Sequence, residues 1–243
     1  MPDPISDPID SNTAEDDVAK WCFAWDPTDV PGSGVGRMAL ELKNKWPKGS
    51  VINVAFLDGV KSVQDKIKKV VKEWTGPGMA NLTIVFVKDP NISDVRITFK
   101  FPGSWSVIGT SCQNLPKTTA SMNFGWLTPK STAEEVRRVT LHEFGHALSL
   151  IHEHQNPVGS IPWNKDAVIK DLSGPPNNWD AAKIQHNMFE IYAKDAVDAT
   201  DVDPLSIMMY PIPKTWVTDP KFVAGTNTEL SPTDKQKIHL LYP

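Results

Sequence analysis

Cysteine is scarce. The 243 residues contain two, Cys22 and Cys112, with no CxxC pair. A thiolate metal site of that kind is excluded, leaving either one disulfide or two free thiols. A basic excess is missing as well: 25 Lys and Arg face 29 Asp and Glu, for a net charge of −4. That balance excludes the clustered positive face of a nucleic-acid binder. No apolar run approaches the length needed to span a bilayer. The first residues, MPDPISDPIDSNTAEDD, have neither the basic start nor the apolar centre of a secretory signal. Either the protein is made without one, or the numbered chain begins after it.

What is present fits an ordinary globular domain. Apolar residues make up 40% and charged ones 22%, in a chain long enough to bury a sizeable core. The polar segment 1–40 holds too little apolar surface to offset the entropy of ordering over its first 20 or so residues. The stretch WCFAWDPTDVPGSGVGR that follows reads as irregular chain.

Strands are expected at Val51–Leu57, Leu82–Val87 and Ala120–Phe124. In another, Val95, Ile97, Phe99 and Phe101 alternate with Arg96, Thr98 and Lys100, the signature of one wet face. Val63, Ile67, Val70, Val71 and Trp74 recur at helical spacing, with Ser62 as cap and Gly76-Pro77-Gly78 as stop. Ser131-Thr132-Ala133-Glu134 is a capping-box sequence and announces a helix over about 132–148. Shorter helices are expected near 164–171 and 179–193, and a last one from Ser231-Pro232. The order argues an α+β fold with a looser C-terminal half.

The chemistry sits in His142-Glu143-Phe144-Gly145-His146. Residues four apart on a helix lie about 40° from each other around the axis, so both imidazoles face one way. That is what two nitrogen ligands of one zinc ion require. Glu143 stands beside the first ligand, in reach of a water on the metal. His152 would lie about 240° around a continued helix from His146, so it joins only if the chain doubles back after Leu148.

At this spacing the chain resembles the metzincin zinc peptidases, and within them the astacin-like group. Their HExxHxxGxxH motif stands here as HEFGHALSLIH over 142–152, followed by the group's glutamate, Glu153. Their SxMxY methionine turn stands as Ser206-Ile207-Met208-Met209-Tyr210. The resemblance runs from about Lys45 to the C-terminus. It implies a zincin fold: a mixed twisted sheet with a backing helix and an active-site helix in an N-terminal lobe (41–149), and an irregular, mostly helical C-terminal lobe (150–243).

It also implies one catalytic Zn2+ on His142, His146 and His152, and a metalloendopeptidase with Glu143 as general base. Tyr210 would alternate between ligand and oxyanion donor, and Met208 would form a packing floor beneath the metal. The expected substrate is a peptide bound extended, along an edge near Ser121, Met122 and Asn123. Pro211 to Trp216, with Lys214, would shape the pocket beyond the scissile bond. An extracellular monomer is the matching expectation.

One position departs from the family: its glycine is Ser149, where a left-handed backbone is needed, at a cost of about 1 kcal/mol. His154 reads as directed away from the metal, a supporting or surface group. Animal astacins pair the counterpart of Glu153 with a new N-terminus after a propeptide leaves. Residues 1–40 could be such a pro-segment, with Cys22 or Asp26 capping the zinc. A Cys22–Cys112 disulfide and two free thiols compete with that reading. For the whole protein, a zinc hydrolase of a non-peptide amide and a low-activity zinc-binding homologue acting as a binding module remain open.

Overall fold

The computed structural model describes residues 22–25, 44–175, 177–192 and 201–243. Six strands form one sheet: β1 (Cys22–Trp25), β2 (Val51–Phe56), β3 (Thr83–Phe86), β4 (Val95–Thr98), β5 (Ser104–Val107) and β6 (Met122–Phe124). Their order across the sheet is β1-β5-β6-β4-β2-β3, and only β5 and β6 pair antiparallel. Parallel strands are covered on both faces, which is why β2 reads as a nearly unbroken apolar run. The α+β expectation holds.

Helix α1 (Lys61–Val70) continues as a 3₁₀ turn, Val71–Thr75. Its start differs from the sequence reading: the N-cap is Val60, with no side-chain cap, not Ser62. Val63 and Ile67 face the core, and Trp74 is fully buried with its indole N–H donating to Leu141 O at 3.0 Å. Helix α2 (Ala133–Ala147) is capped by the Thr132 hydroxyl, which accepts from the Glu135 N–H. It packs on α1 and across β5.

Two sequence expectations fail here. The strand from Val95 stops at Thr98, and all four of its residues are buried, Arg96 included. The segment 109–120 covers the face expected to be wet, and the guanidinium donates to the carbonyls of Thr119, Ser93, Asp94 and Cys112. A buried cation is tolerated because each of its three nitrogens meets a backbone oxygen. Secondly, β6 is not an edge. It lies between β4 and β5, so Ser121, Met122 and Asn123 cannot receive an added strand. The strand outside β6 is β5, and its outer side carries β1 in parallel register, Cys22 opposite Ser104 through Trp25 opposite Val107.

The second half is less regular. It holds α3 (Lys165–Ser173), α4 (Ala181–Ile184) running into a π-helical stretch Gln185–Phe189, and α5 (Pro232–Leu241). The α5 start is a full capping box between Ser231 and Asp234, with Pro232 in the first turn. Beyond it, the buried Tyr242 donates its hydroxyl to Leu148 O at 3.1 Å, and its carbonyl accepts from Asn81 N–H. The chain's end thus clamps the sheet to the end of α2. Among the described residues no helix is long and apolar enough to cross a membrane.

Candidate metal centre

Helix α2 carries His142, Glu143 and His146 on its buried C-terminal half. It ends in a Schellman motif: Leu150 N–H bonds Gly145 O at 2.9 Å, and Ser149 N–H bonds His146 O at 2.8 Å. Ser149 holds the left-handed position, φ 71°. Glycine is usual there, but this serine is put to use. Its hydroxyl donates to Asn44 O at 2.8 Å, and its oxygen lies 3.3 Å from the Tyr242 hydroxyl, sharing that group's one proton with Leu148 O. Those bonds offset the backbone cost, and the chain turns back to bring His152 beside the other two histidines.

His142, His146 and His152 come together, buried, with one ring nitrogen of each inside a span of 4.8 Å. His146 Nε2 and His152 Nε2 lie 3.1 Å apart, and His142 Nε2 is buried without a hydrogen-bond partner. Three tetrahedral nitrogens on zinc would sit about 3.3 Å from one another. The opposite ring nitrogens are oriented by other groups. His142 Nδ1–H donates to Ile207 O at 2.8 Å, His146 Nδ1–H to Leu150 O at 2.8 Å, and His152 Nδ1 lies 3.4 Å from Gln155 Oε1. Such partners fix the tautomer that leaves Nε2 free to ligate. The residues fit a single zinc ion.

Burial, followed by the nearby His146 charge, holds the His142 and His152 imidazoles well below 6.5. Burial brings His146 and His154 down to about 4, against their bonds to Leu150 and Asn187, with the His154 charge adding a smaller push on His146. Neutral imidazoles are what a metal needs. In the metal-free protein the same shifts impose a pH dependence. Below 6.5 the unfolded chain takes up protons that the folded chain refuses, so stability is complete above 6.5 and is lost as pH falls toward about 4. The loss is of order 1 kcal/mol per histidine at pH 5.5. Urea melts of chelated protein at pH 7.5 and 5.5 measure it; equal midpoints would contradict the burial of these rings.

The methionine turn lies against the helix. Met208 packs on Gly145, where an added Cβ would come within 2.3 Å of Met208 Sδ. A side chain at 145 would force the buried Met208 to shift, a close approach the sequence did not reveal. Tyr210 is buried, its ring centroid 4.4 Å from that of His152 and 4.5 Å from that of His154. His154 itself is buried, with Nε2 2.7 Å from Asn187 O; it is not a surface group, nor one of the three converging histidines. Lys214 is exposed in a short turn, whereas Trp216 is buried and donates to Asp171.

Below the turn stands Asp234, which the sequence pattern does not single out. The Asp234 carboxylate accepts from Ser206 Oγ–H at 2.6 Å, Ile207 N–H at 2.8 Å and Ser231 N–H at 2.9 Å. Because Ile207 O holds His142, Asp234 reaches His142 through a single residue. Glu153 sends its N–H to Met208 O, and its carboxylate accepts from Asn156 Nδ2 and Asp203 N–H.

Cys112 is buried and free, so the disulfide reading fails; burial pushes its thiol up to about 12, leaving it unreactive. Cys22 is placed by its backbone in β1. Its side chain, and Asp26, lie outside the described residues. A cavity of about 1120 Å³ borders β5 at Trp105 and reaches His186 and Asn187, whose carbonyls hold Gln155 and His154.

Among solved structures, the chain is similar to myroilysin. One myroilysin structure matches with a TM-score of 0.79 at 39% identity, covering 84% of this chain and 97% of that one. A second matches with a TM-score of 0.64 at 37% identity, over 92% and 91%. The fold alone is shared with high choriolytic enzyme 1, a hatching enzyme zinc-protease from Oryzias latipes (medaka fish). There the TM-score is 0.56 at 18% identity, over 82% and 94%. No protein-family model matches the chain, and no curated protein does.

Proposed function

We propose, from the premise that this chain belongs to the astacin-like family of metzincin zinc peptidases, that it cuts peptide bonds with zinc on His142, His146 and His152 and Glu143 as general base. It is a metalloendopeptidase, and its substrates are peptides. The observation that carries the finer reading is the convergence of three buried, neutral imidazoles beside Glu143 on a helix whose turn-back is fully hydrogen-bonded.

Zinc, when bound, supplies a Lewis acid that makes water a nucleophile near neutral pH and draws charge from a carbonyl oxygen. The remaining work falls to the chain. Glu143 accepts the proton of the attacking water and passes it to the departing amine. His142, His146 and His152 stay neutral, each oriented through its Nδ1. Tyr210, packed on His152, donates its phenol proton to the developing oxyanion. Replacing Tyr210 by phenylalanine should lower kcat about 100-fold with KM changed little. Steady-state kinetics on a quenched peptide decide it, and an unchanged kcat removes Tyr210 from the chemistry.

The substrate is placed along the outer side of β5, in the position β1 takes here, with a side chain entering the cavity beside Trp105. Residues 1–40 then act as a pro-segment, since an edge already paired cannot accept a second strand; 41–243 is the catalytic domain. Cleavage of casein, abolished by a chelator and restored by zinc, tests the function as a whole. Turnover of small amides without protein cleavage would favour the non-peptide hydrolase. One zinc per chain with no turnover would favour a binding module. The bonded state of Ser149 gives that last reading no support.

A further inference from the structure

One ion pair beside the three histidines is not used by the catalytic scheme above. Glu153 directly follows His152, and its carboxylate is 7% exposed. Lys237, on α5 and 19% exposed, brings its ammonium to 3.1 Å and 3.3 Å from the two carboxylate oxygens. A carboxylate so far from water needs a cation or several donors to stay charged in place. It has both here, with Asn156 and Asp203 N–H as the donors.

Lys237 stands three residues after Asp234, on the same face of α5. The two side chains reach two different segments that meet the histidines, the methionine turn and the stretch after His152. Asp234 holds Ile207, whose carbonyl orients His142. Lys237 holds Glu153, whose N–H is fastened to Met208 O and whose neighbour is His152. Nothing else from α5 touches the 152–156 segment in the hydrogen bonds described. A chain that has just left a helix and doubled back has no ladder of its own to fix it, so its position depends on such cross-links.

We propose that Lys237 is a positioning residue for zinc binding: its ammonium, through Glu153, sets the place of His152 relative to the two ligands on α2. The inference rests on the proposed zinc site and concerns how that site is kept in register. It adds a residue near the C-terminus, 85 positions from His152, to the groups that determine metal affinity.

The test is the zinc dissociation constant of the full chain, measured at pH 7.5 by competition with a chromophoric chelator, with circular dichroism to confirm the folded state. Lys237→Met should weaken zinc binding about 10–100-fold, the range typical of partners one step removed from a metal ligand. Lys237→Arg, which restores a cation, should return it to within about threefold of wild type. A merely structural role would lower the melting midpoint of Lys237→Met while leaving the zinc affinity of the folded protein unchanged, and that result overturns the proposal. Should the methionine variant not fold, Lys237→Gln, which keeps a donor and loses the charge, takes its place with the same expectation. If the wild-type chain itself takes up no zinc, the failure belongs to the proposed function. If wild type binds and the variants match it, only this inference falls.

Discussion

Glu143→Gln should lower kcat on a protein substrate by about 10²–10⁴-fold while zinc content stays at one per chain. The amide has the shape of the carboxylate but cannot accept a proton from water. Glu143 is fully buried on the face of α2 that carries His142 and His146, so nothing nearby in solvent can take over its role. The two readouts separate explanations. A variant that loses zinc has lost the site; one that keeps zinc and loses kcat has lost the base. Near wild-type turnover with zinc bound would remove Glu143 from the mechanism.

The second large effect concerns stability. Asp234→Ala should cost about 3–5 kcal/mol, because it strips a buried carboxylate from three donors at once. The Ser206 hydroxyl and the N–H groups of Ile207 and Ser231 would all be left facing an apolar void. For a chain of this size that loss lowers the melting midpoint by about 10 °C. The same variant should bind zinc more weakly, since Ile207 O is what orients His142. A midpoint within a degree or two of wild type would mean that the methionine turn is held by something other than α5.

How much of this could be read from the sequence depends on how local the cause is. The convergence of the three histidines was legible because helix geometry and one known spacing constrain them. The capping boxes, or sequences near them, located the starts of α2 and α5 to within a residue. Arg96 misled because alternation reports the pleat and not what later covers it; the 109–120 segment that buries its face is irregular and has no periodic signature. The substrate edge misled for a related reason. A strand as short as Ser104–Val107 offers too brief an alternation to be read, and adding one strand to a sheet turns an edge into an interior. Ser149 looked like a defect until Asn44 and Tyr242, far away in the chain, supplied its bonds. Asp234 and Lys237 meet the site through such long-range contacts too, and only the fold brings them there.

The central claim is that the chain leaves α2 at Ser149 and brings His152 to the same point as His142 and His146. X-ray absorption at the zinc edge, taken on the wild type and on His152→Ala, measures this directly. Three imidazole nitrogens at about 2.0–2.1 Å in the wild type, falling to two in the variant, is the predicted result. An identical spectrum from both proteins would contradict it.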